Sequence, residues 1–290
     1  MRTVNEHRTY LEGLAAQVEN PAAGFFGPGS VAWRLNGELV LGLVVLRALF
    51  MQVAHPKVAQ GVADHSDFRR KPFARALATF RAQKRIVFGT CEEAIEALMR
   101  IYARHSAVSG KAEPSAYQAN DPALLFWVYA TLLDSMFYAY RTFLPGLAPA
   151  EWERFYEDGK LFARLIGIPE EHVPSRLADF NAWMAAALAG EEIYVSPAGF
   201  EIGQSLLRMP VRLAAPLTGF LAAGTLPPKL RNQFGLPWSA GRQRGFAGLA
   251  SFVRTAAHFT PRFLRTAPVY WVALCRVRQA ALSSASSNHI

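Results

Sequence analysis

The stretch "NDPALLFWVYATLLDSMFYAYRTF", residues 120–143, decides the fold class of this chain. Its apolar residues recur at three- and four-residue spacing, with Asp121 at the N-cap position and Pro122 at the first helical position. Along the chain we find no segment in which apolar and polar residues alternate between turn residues, as in a half-buried strand. The sequence therefore predicts an all-α protein, a single helical domain built around a buried cofactor or ligand pocket and packed in a globin-like style.

Local start and stop signals predict further helices. Thr90, followed by Glu93 three positions later, forms a capping box that opens a helix ending before Gly110. A long helix from about Glu38 should stop near His55, because Pro56 disfavours helical backbone at the residue before it. We expect His55 to cap the C-terminus of that helix, and a second short helix to follow Pro56. Other predicted helices span 72–87, 149–166, 175–189, 200–208 and 268–281.

We divide the chain into an N-terminal helical extension (1–29) and a core domain (30–208). A cover segment with the C-terminal helices of the same domain follows (209–281), and then a disordered tail (282–290). Glycine and proline accumulate in 209–248, which predicts a looser stretch there. We see no internal repeat and expect no division of the chain into different charge regimes.

The composition limits the function classes. Of the 290 residues 51% are hydrophobic and 18% charged, a surplus of apolar residues that suits binding of a large apolar ligand or contact with a membrane. The net charge of +9 attracts anionic partners. The basic residues form short separate groups rather than a long arm, which does not favour nucleic acid binding. The apolar run 39–46 is too short to span a membrane, and Arg47 interrupts it.

The two cysteines, Cys91 and Cys275, lie far apart and form neither a disulfide framework nor a zinc motif. The first residues carry charges and lack a long apolar run, which is not typical of a secretory signal. We therefore expect a cytoplasmic protein, with peripheral membrane association left open.

One histidine stands out once common catalytic motifs are set aside. The chain contains no G-x-S-x-G, no phosphate-binding loop, no H-E-x-x-H and no Glu-x-x-His pair. On the helix opened by Thr90, the apolar series Ile95, Leu98 and Tyr102 continues to His105. His105 is either a core histidine bonded to a carbonyl or a metal ligand. A single histidine without companion ligands fits haem better than zinc.

Other polar residues allow two interpretations each. Arg75 and Thr79 lie one helical turn apart and share a face, which is either solvent-exposed or lines a pocket. In a pocket, the guanidinium and hydroxyl groups could bind a propionate or stabilise charge on oxygen. Asp64 and His65 either end a helix through their own hydrogen bonds or handle protons at a pocket rim. Asp134 is interpreted as an acid on a helix face.

Several motifs occur together in a distinctive order. They are "GELVLGLVVLRALFMQVAHPKVAQGVADHSDF", "PFARALATF", "VFGT", "RHSAVSG" and "YQANDPALLFWVYATLLDS". This succession resembles the oxygenase family of bacterial latex clearing proteins (rubber oxygenases) and fungal MpaB-type oxygenases, over roughly Ser30 to Leu188. The resemblance implies an all-helical fold around haem b, with dioxygen as co-substrate and a hydrophobic, isoprenoid substrate.

The resemblance also assigns roles to individual residues. The histidine that holds the iron falls on His105, and the arginine and threonine of the R-x-x-x-T segment fall on Arg75 and Thr79. Rubber oxygenases also use a carboxylate as a pocket base, for which we choose Asp64. Arg75, Thr79 and Asp64 are thus the predicted catalytic residues. His105, with Arg75 and Thr79, would bind the cofactor.

The chain departs from the family pattern at two places. Ala78 occupies the position at which rubber oxygenases can have a distal lysine ligand, so the closed state that this lysine makes should be absent. The expected Trp-Val-His is Trp127–Val128–Tyr129 here, which changes the hydrogen bonds available around the site.

The leading hypothesis is a haem b-dependent oxygenase that acts with dioxygen on a hydrophobic, isoprenoid or lipid-like substrate. A non-catalytic lipid or isoprenoid binding protein at a membrane surface would use the same apolar residues and positive charge. A third hypothesis is a metal-free enzyme that uses pocket acids and histidines, although the sequence shows no nucleophile and base pair for it.

Overall fold

The computed structural model describes residues 2–68, 72–112, 115–208 and 215–287, without the side chains at 72–76, 215–216 and 284–287. These residues form fifteen α-helices, three short 3₁₀-helices and one two-stranded hairpin. The α-helices are α1 Val4–Ala15, α2 Val31–Asn36, α3 Val45–Val53, α4 Pro56–His65, α5 Pro72–Phe88, α6 Cys91–Ser106, α7 Pro122–Phe143, α8 Pro149–Leu165, α9 Leu177–Ala189, α10 Pro197–Leu207, α11 Ala215–Thr225, α12 Pro228–Gln233, α13 Ala240–Phe259, α14 Arg262–Arg265 and α15 Pro268–Ser287. The 3₁₀-helices are Pro21–Ala23, Leu39–Val44 and Glu170–His172, and the strands are β1 Ser109–Ala112 and β2 Ser115–Gln118. The predicted all-α class is confirmed.

Helix α7 lies at the centre of the fold. Asp121 caps it as predicted, since its Oδ1 accepts the N–H groups of Ala123 at 2.9 Å and Leu124 at 3.3 Å. The helix packs against α3, α8 and α13, and Phe137 at its middle is fully buried. Within the described residues, α7 is long and apolar enough to cross a membrane, but 72% of that apolar window is buried inside the protein. We therefore interpret α7 as a core helix.

The helical hairpin of α5 and α6 forms as predicted. Thr90 caps α6: its hydroxyl accepts the N–H of Glu93 at 3.1 Å, and the Glu93 carboxylate accepts the N–H of Thr90 at 2.9 Å. Only Gly89 and Thr90 separate the two helices, which therefore run antiparallel and pack together. An ion pair of 3.4 Å between Arg85 and Glu96 joins them.

The predicted helix from Glu38 to His55 is partly wrong. The 3₁₀-helix Leu39–Val44 comes first, and the α-helical part is confined to α3. His55 does not cap the end of α3. It is the N-cap of α4, where its Nδ1 accepts the N–H of Lys57 at 3.2 Å. Pro56 accounts for this role, because it fixes His55 in extended backbone and starts the next helix.

The C-terminal third is more regular than predicted. The stretch 209–248 contains α11, α12 and the start of α13, although its first residues, 209–214, lie outside the described part. Helix α15 continues to Ser287, past the predicted end at 281 and into the stretch for which we expected disorder. Arg276 ties α15 to the core, since its Nε donates to the carbonyl of Ala22 at 3.1 Å.

The β1–β2 hairpin was not predicted, because each strand has only four residues and most of them are exposed or half-buried. Ser109 pairs with Gln118, and Gly110 pairs with Tyr117. The Tyr117 ring covers Gly110 so closely that a Cβ there would lie 2.6 Å from the tyrosine oxygen. A larger residue at position 110 would therefore force the Tyr117 ring to move.

Candidate functional site

His105 lies in the last turn of α6 and is half-buried. The residues that lead to it, Ile95, Leu98 and Tyr102, are all buried, so the predicted apolar face exists. His105 sits at the edge of that face rather than deep in the core. Because α5 runs antiparallel to α6, the first turns of α5 lie at the same end of the helical hairpin as His105.

Hydrogen bonds fix the helix end that carries His105. Asn120, itself 2% exposed, donates from Nδ2 to Ser106 Oγ at 2.9 Å and to the Tyr102 carbonyl at 3.3 Å. The backbone N–H of Val108 donates to the His105 carbonyl at 3.0 Å. The backbone around His105 is therefore held from both sides, which suits a residue that must position a bound group.

The two other predicted cofactor residues lie on α5. Thr79 is in the middle of the helix, and its side chain is exposed. Position 75 belongs to the first turns of α5, but the side chain of Arg75 lies outside the described residues. The shared pocket of His105, Arg75 and Thr79 therefore stays a prediction.

Asp64 is exposed near the end of α4, and both of its oxygens are engaged. Oδ1 accepts from Gln60 Nε2 at 2.7 Å, and Oδ2 accepts from the Tyr117 hydroxyl at 2.6 Å. The next residue, His65, places Nε2 at 3.0 Å from the Ser109 carbonyl. These contacts fasten the β1–β2 hairpin to α4. Burial, followed by the hydrogen bond to Asp64, raises the pKa of Tyr117.

His55, at the start of α4, lies beside the aromatic residues of α7, with 6.2 Å between the ring centres of His55 and Trp127. Burial lowers the pKa of His55, while the carboxylate of Glu192, with 3.7 Å between Nε2 and Oε1, partly offsets this effect. Trp127 donates from Nε1 to the Gln52 carbonyl at 3.3 Å. Tyr129, which replaces the histidine expected in the family pattern, donates to the Gly159 carbonyl at 2.6 Å. Tyr129 thus joins α7 to α8 through its hydroxyl group.

A buried ion pair was missed in part by the sequence analysis. Arg47 is 5% exposed, donates to the carboxylate of Asp134 and to the Thr225 carbonyl, and lies 4.6 Å from the Tyr138 ring centre. We noted Arg47 only as an interruption of an apolar run and Asp134 only as a helix-face acid. Their pairing joins α3, α7 and the end of α11, three elements that are distant in sequence.

A second buried cation, Lys84, was missed entirely. Its ammonium group donates to the Asn36 carbonyl, and burial lowers the pKa of Lys84 to about 8. The Asn36 side-chain oxygen accepts from Gln83 Nε2 at 2.9 Å. A signal was present, because Lys84 lies four residues after Phe80 and four before Phe88, on one helix face.

A small cavity adjoins this polar cluster. Its volume is about 30 Å³, and Asn36, Gln83, Met136 and Asp158 are among its lining residues. That volume is enough for about one water molecule and too small for an organic substrate. We therefore assign the cluster to the interior structure of the fold.

A larger open cleft of about 500 Å³ is lined by Arg2, Glu6, Asn120, Pro122, Gly167 and Pro169. Beside it, the fully buried ring of His7 stacks on Tyr102 with 4.1 Å between ring centres. Burial lowers the pKa of His7 to about 4, so this histidine is neutral at pH 7.

The residues at the end of α6 fit a haem ligand better than a conventional metal site. The described residues contain no group of three or more His, Cys, Asp or Glu side chains that could hold a metal ion. Haem iron receives four ligands from its porphyrin, so one imidazole from the protein can hold it. His105, half-buried at the end of α6, would be that one imidazole in a haem site.

Two proteins are similar to this chain in sequence, and one solved structure is similar to it in fold. Two curated relatives, both described as uncharacterized proteins, come from Mycobacterium bovis and Mycobacterium tuberculosis. Each is 31% identical over 225 residues, which cover 73% of this chain and 87% of the relative. A solved structure of latex clearing protein in the closed state has a TM-score of 0.50 and 16% identity, and the match covers 96% of this chain and 86% of that one. The latter similarity concerns the fold.

The family model described as "ER-bound oxygenase mpaB/B'/Rubber oxygenase, catalytic domain" matches residues 33–255. The match extends well beyond 188, where the resemblance in sequence motifs ended. It includes the positions of Asp64, Arg75, Thr79 and His105. The chain therefore belongs to the MpaB and rubber oxygenase catalytic domain family.

Proposed function

We propose that this protein is a haem b-dependent oxygenase that acts with dioxygen on a hydrophobic, isoprenoid or lipid-like substrate. The observation that carries the proposal is the family match over 33–255, which includes a histidine at a half-buried helix end held by Asn120. Haem b, when bound, supplies an iron centre suited to oxygen chemistry.

Each chain residue has a defined task in this proposal. His105 would hold the iron through a neutral ring nitrogen, and Asn120 and Val108 would keep its helix end in place. The Arg75 guanidinium would pair with a propionate, because its planar fork matches a carboxylate. Thr79 shares a face of α5 with Arg75, so its hydroxyl would donate a hydrogen bond to the same cofactor.

The catalytic role of Asp64 stays a prediction with a structural rival. As a pocket base, Asp64 would accept a proton on an oxygen that already accepts a hydrogen bond from Tyr117 or Gln60, through a remaining lone pair. As a clamp, it would only hold the hairpin that follows His105, through the Tyr117 hydroxyl.

The first test uses the full chain expressed with a haem supply. We expect a Soret band, iron close to one equivalent per chain, and oxygen uptake when a polyisoprenoid is added. Protein that carries lipid but neither haem nor iron, and consumes no oxygen, would contradict the proposal and favour the non-catalytic lipid binder.

Matched variants decide the role of Asp64. If Asp64 is a clamp, Asp64→Asn and Tyr117→Phe should each lower the stability by about 1 kcal/mol and have the same small effect on oxygen uptake. A loss of uptake in Asp64→Asn alone would establish Asp64 as the pocket base.

A further inference from the structure

The net positive charge of the protein comes entirely from residues 202–290. No Asp or Glu follows Glu201, whereas eleven Arg or Lys residues do. Residues 1–201 hold the other 20 basic residues and all 22 acidic residues, so their net charge is −2 and that of residues 202–290 is +11. The expectation that no division of charge exists was wrong.

Large apolar side chains are exposed in the same part. Of the thirteen exposed large apolar residues in the described structure, eight lie between 252 and 282. Phe252, Phe259, Phe263, Leu264 and Val272 are each at least 60% exposed. Single exposed apolar residues are ordinary, but a concentration of this kind marks an interaction surface.

The helices that carry these side chains are fastened together. Phe252 and Phe259 are seven residues apart and share one face of α13. Arg265 on α14 donates to the Ala257 carbonyl on α13 at 3.2 Å, and Arg262 donates to the Tyr270 hydroxyl on α15 at 3.3 Å. The end of α13, the whole of α14 and the start of α15 therefore form one continuous edge, which we call the α13–α15 edge.

Basic groups accompany the α13–α15 edge. Some arginines of the region are used internally: Arg254 donates to the carbonyls of Arg141 and Thr142, and Arg276 pairs with Glu93 at 3.6 Å. Arg244 and Arg278, by contrast, are exposed. Arg244 lies in the first turns of α13 and Arg278 in the middle of α15, so they belong to two of the helices that carry the exposed apolar side chains, and no acid occurs in residues 202–290 to neutralise them.

We propose that the α13–α15 edge docks onto the surface of an anionic lipid bilayer. Apolar side chains enter the boundary of the acyl region, while arginines contact the anionic headgroups. A second copy of the chain fits less well, because an isologous contact would bring two acid-free basic surfaces together. Nucleic acid also fits less well, because its charged phosphate backbone would give the exposed Leu264 and Val272 no apolar environment. The proposal is independent of the haem chemistry.

Vesicle flotation with the full chain tests this docking. We expect binding to vesicles of phosphatidylcholine mixed with phosphatidylserine, and weaker binding at high salt because the headgroup attraction is screened. Phe259→Ser/Phe263→Ser should weaken binding by at least about tenfold, because two large apolar contacts are lost. Arg244→Glu/Arg278→Glu should weaken it by about tenfold and reduce its salt dependence.

A control variant and three outcomes keep the test decisive. Tyr194→Ser removes an exposed aromatic side chain outside this region and should leave vesicle binding unchanged. Unaltered circular dichroism of each variant shows that it is folded. Equal vesicle binding by all variants, a wild-type dimer that Phe259→Ser/Phe263→Ser dissociates, or binding of nucleic acid but not vesicles would each overturn the proposal.

Discussion

Basic side chains serve different purposes at two places in the molecule, inside residues 1–201 and on the surface of residues 202–290. In the first region Arg47 and Lys84 lie inside the protein, and each donates to a partner on another helix. In the second region Arg244 and Arg278 are exposed on helices that also carry large exposed apolar side chains, and residues 202–290 contain no acidic residue. The charges of Arg47 and Lys84 stabilise one arrangement of helices, whereas the charges of Arg244 and Arg278 are available to a partner outside the molecule.

The largest effect on stability is expected at the buried ion pair. Arg47→Met should lower the free energy of unfolding by about 4 kcal/mol, because it leaves the Asp134 carboxylate without its cation. Arg47→Met/Asp134→Leu should recover at least half of that loss. Urea denaturation followed by circular dichroism measures both effects.

The surface pair of Arg8 and Glu12 provides the control, since both side chains are more than half exposed. Arg8→Met should change the free energy of unfolding by less than about 1 kcal/mol. If Arg47→Met costs no more than Arg8→Met, the contrast between inside and outside charge is wrong.

Lys84 should make stability depend on pH. Its pKa is about 8 in the folded protein and near its ordinary value of 10.5 in the unfolded chain. Between these values the unfolded chain binds more protons, so the stability of the wild type rises as the pH increases from 8 to 10.5. Relative to wild type, Lys84→Met should therefore lose up to about 3 kcal/mol across this window. A difference that stays constant with pH would show that the ammonium group keeps its charge in the fold.

The smallest effect on stability is expected at the α13–α15 edge. Phe259→Ser/Phe263→Ser, the pair proposed for the vesicle test, should change the free energy of unfolding by less than about 1 kcal/mol, because both rings are already exposed. A larger loss of unfolding free energy in urea denaturation would mean that these rings pack within the molecule and are not available to a partner.

Local signals predicted much of the fold. Thr90 with Glu93 and Asp121 with Pro122 cap helices as expected, because a cap depends on a few adjacent residues. The β1–β2 hairpin escaped prediction because its four-residue strands are stabilised by Tyr117 and its contacts with α4. Such contacts join residues far apart in sequence.

The candidate site was less accessible to sequence reasoning. The spacing correctly placed His105 at the end of an apolar helix face but could not give its depth, which depends on the elements packed around α6. The pairing of Arg47 with Asp134 depends on how α3 lies against α7. The burial of Lys84 follows from its spacing to Phe80 and Phe88, and the charge division follows from the absence of acids after Glu201. Both could have been found in the sequence.

The most direct test of the proposed function is the haem content of His105→Ala, compared with wild type and with a variant of the exposed His172. We expect His172→Ala to keep the Soret band, and His105→Ala to lose most of it while retaining helical circular dichroism. Added imidazole should restore part of the band, because it can replace the missing ligand. A His105→Ala protein with a wild-type spectrum and haem content would contradict the assignment of His105 as the iron ligand.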